Sequence, residues 1–245
     1  MHHRDFEKVK VTDAGFGTHG AQVDRTVRLA ALAADEQAQD HRSLAKLWEQ
    51  LAARTLEIFD AFLTPQRCFL LVRHGPPRTV RPAELRGIAI LQRVLVEGSQ
   101  QAAATELGIS PSTTAARGQA GLTALGFSCR VPRTPYIIVA AANASQGHAA
   151  IEARSSTIEA AHRPLQVLTI PRPEGHISSR LTGAVLQVTT SLLEGMTRSH
   201  IARVRNTSER TVSNQLSVAF KQLRAAGRLD MLRVLACAQY PHHNG

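Results

Sequence analysis

Aromatic residues are scarce in this sequence, and that scarcity limits the kinds of core it can build. Only 4% of the residues are Phe, Trp or Tyr, whereas 43% are hydrophobic. The core therefore has to be built mainly from Leu, Val, Ile and Ala. Because aromatic residues favour strands, this composition fits small Ala-rich helical cores better than a β-sandwich or a barrel.

Cysteine and long apolar runs are also nearly absent. The chain has three cysteines, Cys68, Cys129 and Cys237, which are far apart and form no C-x-x-C pair. This argues against a disulfide framework and against a cysteine-based zinc site. No run of 18 apolar residues occurs, and residues 1–10 lack the apolar core of a secretion signal. We therefore expect a cytoplasmic protein without a membrane segment.

Signatures of common catalytic sites are missing as well. The sequence contains no P-loop, no G-x-S-x-G and no H-E-x-x-H motif. The 11 histidines are scattered, with the pairs His2-His3 and His242-His243 near the two ends of the sequence. We therefore expect no enzymatic activity, no bound metal and no cofactor.

Positive charge is plentiful but unevenly distributed. Residues 1–60 carry 8 Lys or Arg and 10 Asp or Glu, whereas residues 61–171 carry 11 and 5, and residues 172–245 carry 10 and 4. Such a basic surplus is typical of proteins that bind polyanions. The alternatives are a merely basic protein and an Arg-rich composition inherited from a GC-rich genome, since 25 of the 29 cations are Arg.

Patterns along the chain divide it into five segments. Polar, Gly-rich residues 1–22 predict a mobile lead, and residues 23–82 predict helices broken around Asp40, followed by a β-hairpin that turns at residues 64–66. Residues 83–146 predict a helical module, in which 135–142 fits either a Pro-capped helix or a strand. Residues 147–175 predict a second hairpin and a linker, and residues 176–240 predict a second helical module.

The order of hairpin, loop and helices thus occurs twice. At an offset of 98 residues, five identities cluster around the same turn: Ala104 and Ala202, Ser110 and Ser208, Thr113 and Thr211, Leu125 and Leu223, and Arg130 and Arg228. We interpret this as a duplication. The expected fold class is mainly α with short β-hairpins, with two tandem four-helix helix-turn-helix modules.

The second module has the pattern of a helix-turn-helix. Thr197 is placed to cap a short helix over 198–205, whose Ile201, Ala202 and Val204 are predicted to pack inward. A tight turn at 206–208 follows, and Ser208 is placed to cap a longer helix over 209–224. The core stripe predicted for that longer helix consists of Val212, Leu216, Ala219, Phe220 and Leu223.

These residues carry a resemblance to a known family. Leu181-Thr182, Glu194-Gly195-Met196-Thr197, Ile201-Ala202, Ser208-x-x-Thr211-Val212, Lys221-x-Leu223 and Arg228 resemble the LuxR/GerE-type DNA-binding domain over about residues 180–236. That domain is the four-helix output module of many bacterial response regulators and quorum-sensing regulators. Two positions depart from it: Arg205 stands where the family usually has Leu, and Thr207 stands where it has Ile or Val.

The resemblance implies that the longer helix enters the major groove of DNA. Asn and Gln side chains there bind adenine, whereas Arg210 and Lys221 are expected at phosphates. For each polar residue the alternative is a solvated helix face. The predicted DNA-binding residues are Thr197, Arg198, Ser199, Arg210, Thr211, Ser213, Asn214, Gln215, Ser217 and Lys221.

The first module looks like a degraded copy of the second. Its third helix contains Gly118 and Gly121, each of which costs about 1 kcal/mol relative to Ala in a helix interior. The face predicted to be exposed offers Ala115, Ala116, Arg117 and Gln119. This composition favours packing or weak phosphate contact over base recognition.

The expected function is therefore that of a transcription regulator that binds double-stranded DNA through its second module. The alternative is an adaptor that shares this architecture but docks on RNA polymerase or another regulator without sequence-specific DNA binding. Two DNA half-sites about 10 base pairs apart would require a homodimer or participation by the first module. We expect no phosphoacceptor receiver before the modules, since residues 1–80 look too short and too helical for a doubly wound sheet.

Overall fold

A computed structural model describes residues 25–75, 81–97, 99–126, 152–160, 163–172, 177, 179–228, 230–231 and 234–235. The predicted mobile lead at 1–22 and the open choice between helix and strand at 135–142 lie outside the described residues. Among the described residues, none of the helices is both long and apolar enough to span a bilayer.

Helices and strands alternate in groups along the described residues. The bounds are α1 (Arg25–Gln37), β1 (Asp40–Ser43), α2 (Leu44–Ala52), β2 (Leu56–Leu63), β3 (Arg67–His74), α3 (Pro82–Glu97), α4 (Gln100–Leu107), α5 (Pro111–Ala124), β4 (Glu152–Ala160), β5 (Arg163–Pro171), α6 (Gly183–Leu193), α7 (Arg198–Val204) and α8 (Glu209–Leu223). Further helical residues follow α8 at 228, 230–231 and 234–235.

The five strands form a single antiparallel sheet in the order β1-β4-β5-β3-β2. β2 and β3 form one hairpin, and β4 and β5 form the other. The two hairpins join through β3 and β5, where Leu70 is paired with Leu168 and Phe69 with Thr169. The hairpins that the sequence predicts locally are therefore parts of one sheet.

Helices cover both faces of this sheet. On one face, Ala31 of α1 is packed with Phe62, Phe69 and other buried strand residues. On the other face, buried strand residues such as Leu70 and Leu168 share a core with α2, α3, α5 and the helices of the C-terminal part. Because β3 is covered on both sides, residues 68–72 are all buried, which explains their unbroken apolar run.

A buried carboxylate anchors α1 to the sheet. Asp35 is 6% exposed, and its Oδ1 accepts a hydrogen bond of 2.5 Å from Thr169 Oγ1 of β5. Arg67 of β3 and Arg154 of β4 lie 3.4 and 3.8 Å from the same carboxylate. Arg154 also donates to the main-chain oxygens of Asp35 and Ala38, at 2.5 and 3.0 Å. One acidic side chain thus holds three strands beneath one helix.

The expectation of a mainly α fold with two tandem four-helix modules is wrong. The protein is a mixed α/β fold around a five-stranded sheet. The error arises because strand pairing is non-local: each hairpin has a local signal, but the joining of the hairpins has none. The sequence also does not predict β1. Asp40–Ser43 has no apolar alternation, so a break between helices is expected there instead.

The turns that lead into α5 and α8 nevertheless have the same local geometry. The left-handed turn residue is Gly108 in one half and Asn206 in the other, with φ of 63° and 48°. Ser110 Oγ accepts from Thr113 N at 3.1 Å, and Ser208 Oγ accepts from Thr211 N at 3.0 Å. Each of these pairs is 98 residues apart, which is the offset of the sequence identities.

The same offset relates Leu70 to Leu168, which face each other directly in the β3–β5 ladder. Equivalent residues that face each other across an antiparallel ladder lie on a local two-fold axis. An approximate two-fold axis therefore passes through this pair and relates the two hairpins. The hairpins lead into two helical units, which we call the first unit (α3–α5) and the second unit (α6–α8).

Close helix packing explains one of the glycines that weaken α5. A Cβ atom placed on Gly121 would lie 2.3 Å from Gly87 O and 2.9 Å from Ile88 N, both of α3. The two backbones thus touch where these glycines meet, and no side chain fits between them. A Cβ on Gly118, one turn earlier in the same helix, would meet nothing within 4 Å.

We expect Gly121→Ala and Gly118→Ala to change stability in opposite directions. Both gain about 1 kcal/mol of helix propensity, but only Gly121→Ala drives a methyl group into main-chain atoms, so it should lose about 1–3 kcal/mol. Gly118→Ala should gain up to about 1 kcal/mol. Urea unfolding of the two variants measures both changes, and equal shifts in the two would contradict the close crossing of α3 and α5.

Candidate nucleic-acid interface

Side-chain caps begin the two helices of the helix-turn-helix, as the sequence predicts. Thr197 Oγ1 accepts from His200 N at 3.2 Å at the start of α7. Ser208 Oγ caps α8 through the main-chain nitrogen of Thr211, as described above. The bounds 198–204 and 209–223 agree with the predicted helices to within one residue at each end.

A small apolar core holds these helices together. Ile201 and Ala202 of α7 are 1% and 5% exposed, and α8 contributes Val212, Leu216, Ala219 and Leu223. The prediction for Val204 is wrong, because this side chain is 64% exposed. Val204 follows Ala202 by two residues, or about 200° around a helix, so its side chain points away from that of Ala202.

The turn between α7 and α8 is closed in two ways. Asn206 takes the left-handed conformation, and Thr207 N donates to Ala202 O at 2.9 Å. Arg205, which stands where LuxR/GerE-type domains usually have Leu, donates from Nη1 to Gln187 Oε1 of α6 at 2.6 Å. This hydrogen bond connects the residue after α7 to α6.

One face of α8 is polar and open to solvent. Opposite the buried stripe lie Arg210, Asn214, Ser217 and Lys221, all of them exposed. They occupy positions i, i+4, i+7 and i+11, and therefore form one row along the helix. We call these four residues the outer row of α8. Arg210 and Lys221 make both ends of the row cationic.

Other predicted residues lie on the flanks of α8. Ser213 and Gln215 are only partly exposed, and Ser213 Oγ lies 3.5 Å from Arg198 Nη1. Ser217 Oγ donates to Ser213 O at 3.0 Å, so that hydroxyl proton is used within the helix. Gln215 Oε1 is buried and has no hydrogen-bond partner among the described residues. Its oxygen is therefore withdrawn from the exposed surface.

The start of α7 lies next to this face. Thr197, Arg198 and Ser199 are exposed, and the hydroxyl groups of Thr197 and Ser199 are 3.0 Å apart. The contact of Arg198 with Ser213 brings these residues beside α8. Thr211 is also exposed, with Oγ1 2.9 Å from Ser208 Oγ. The structure thus gathers the predicted residues on one side of the second unit, with Gln215 turned partly inward.

The first unit has the same local geometry but different chemistry. At the offset of 98, the outer row of α8 corresponds to Ser112, Ala116, Gln119 and Thr123 of α5. All four are exposed and none is charged. Arg117, also exposed, corresponds to Gln215 rather than to a member of the row. The cationic row is therefore confined to the second unit.

No known protein family, curated protein or solved structure matches this chain. The resemblance to LuxR/GerE-type domains therefore stays a prediction from the sequence of the second unit.

One outward residue was missed at the sequence level. Val218 is 44% exposed and follows Asn214 by four residues, one helical turn further along α8. Its position could have been found from helical phase, because it lies away from the stripe of Val212, Leu216 and Ala219. A pattern of polar residues alone does not identify it, because its side chain is apolar.

We expect Ala202→Leu to unfold the second unit, since overpacking of a filled core costs about 1–3 kcal/mol or more. Val204→Leu places the same residue two positions later, where it is exposed, and should stay within about 0.5 kcal/mol of the wild type. Thermal unfolding compares the two variants. Wild-type stability in Ala202→Leu would show that α7 and α8 do not cross closely at this residue.

Proposed function

We propose that this protein is a transcription regulator that binds double-stranded DNA by placing α8 in the major groove. The observation that carries the proposal is the outer row of α8, an exposed line of hydrogen-bonding and cationic side chains on a helix whose other side is anchored in a core. The major groove is about 12 Å wide and accepts one such helix.

Each member of the row has a matching chemical group on DNA. The carboxamide of Asn214 suits the paired donor and acceptor on the adenine edge. Arg210 and Lys221, near the two ends of α8, suit phosphates on either side of the groove. Ser217 keeps acceptor capacity, because its proton is donated to Ser213 O.

The start of α7 offers a second set of phosphate ligands. The hydroxyl groups of Thr197 and Ser199 and the guanidinium of Arg198 stand together in solvent. They lie beside α8, so a helix seated in the groove brings them toward the adjacent backbone. Phosphate contacts of this kind fix the register of a helix on DNA without reading its sequence.

We place this function in the cytoplasm, where bacterial DNA is accessible.

A second function is favoured by the first unit. Its exposed row on α5 is uncharged, so it offers phosphates no cation equivalent to Arg210 or Lys221. A face of this kind suits docking on a protein such as RNA polymerase, another regulator or a second copy of this chain. In the adaptor alternative, the protein docks only on other proteins and does not recognise a DNA sequence.

Substitutions in α8 separate these functions. In the full-length protein, Asn214→Ala should relax base preference at one position by about 1–3 kcal/mol. Lys221→Ala should weaken binding to all duplexes and lower the slope of log affinity against log salt by about 0.9. The measurement is a salt titration of duplex binding, with Arg117→Ala of the first unit as the exposed control that should change little.

The adaptor alternative predicts a different result. A protein that docks only on other proteins would show no sequence preference in any variant. If Arg117→Ala and Lys221→Ala weakened duplex binding equally, DNA contact would be assigned to both units. That result would contradict the proposal that only α8 enters the groove.

A further inference from the structure

Val218 is an apolar side chain within a polar face. It is 44% exposed and lies outside the apolar core that holds α8, to which Phe220 and the buried stripe contribute. Val is also a weaker helix former than Ala or Lys, because its branched side chain loses rotamer freedom in a helix. Among the described residues, neither packing in that core nor helix propensity therefore accounts for Val at this position.

The surroundings of Val218 indicate what it touches. Asn214 precedes it by one turn and Lys221 follows it by three residues, so both lie about 5–6 Å away along the helix surface. Arg210 extends the same face toward the start of α8. A cationic surface with a single apolar contact point complements a polyanion that displays a small apolar group. It complements an apolar protein surface poorly.

We propose that Val218 determines specificity by contacting the 5-methyl group of a thymine in the major groove. Of the base-edge groups in that groove, the thymine methyl is the apolar one. One helical turn rises 5.4 Å and one base step 3.4 Å, so this thymine lies one or two base pairs from the adenine assigned to Asn214. The inference rests on the proposed function, since it requires α8 in the groove.

Replacing thymine by uracil tests the contact, because the two bases differ only in this methyl group. The probe is the duplex that the full-length protein selects from a random DNA pool, with each thymine exchanged singly for deoxyuridine. We expect one exchange to weaken wild-type binding about fourfold, the effect of withdrawing one methyl group from an apolar contact. Val218→Ala should bind the thymine and uracil forms of that position equally.

A second valine provides the matched control. Val204 is 64% exposed on α7 and lies outside the outer row of α8. Val204→Ala should keep the fourfold difference between thymine and uracil. Both valines are exposed, so both variants should melt at the wild-type temperature, and the comparison then reports on DNA contact alone.

Two results would overturn the inference while leaving the proposed function in place. They are selective binding with no thymine-to-uracil effect at any position, and a fourfold effect that persists in Val218→Ala. The former is also the outcome expected if Val218 contacts a protein partner instead. If the wild type selects no DNA sequence at all, the proposed function fails and this inference fails with it.

Discussion

The backbone ladder between β3 and β5 is the contact on which the rest of the fold depends. A single hairpin is marginal in water, and joining the two hairpins gives each an inner strand with both edges paired. Because each hairpin leads into its own helical unit, the ladder also determines where the units stand on their shared face. Arg172 adds to this link, donating to Thr64 O at 3.0 Å and pairing with Glu194 at 3.6 Å.

Features that depend on neighbouring residues could be predicted from the sequence. Thr197 and Ser208 were identified as caps because a cap acts on main-chain groups within three residues. The hairpin turn at 64–66 and the burial of Ile201 and Ala202 follow from equally local patterns. The four residues of the outer row are among the predicted DNA-binding residues for the same reason, since helical phase places polar residues opposite an apolar stripe.

Features that depend on distant residues could not be predicted. β1 is a strand because residues 40–43 pair with β4, more than 100 residues later, and its own sequence has no alternation. Gly121 looks unfavourable until its contact with Gly87 is seen. Asp35 likewise looks like a surface residue of a helix until Arg67, Arg154 and Thr169 surround it. In each case the contact that stabilises the residue or strand comes from a partner that is distant in the sequence.

The long reach of the β3–β5 ladder also affects how the chain comes to be folded during synthesis. Phe69 pairs with a residue one hundred positions later, so β3 cannot pair with β5 until that later segment has been synthesised. At about 5–20 residues per second, ribosomes need about 5–20 s to supply it. During that interval the apolar strand at 68–72 presents an open edge, which is a site for aggregation. The apolar edge of β3 therefore stays unpaired until β5 has been synthesised.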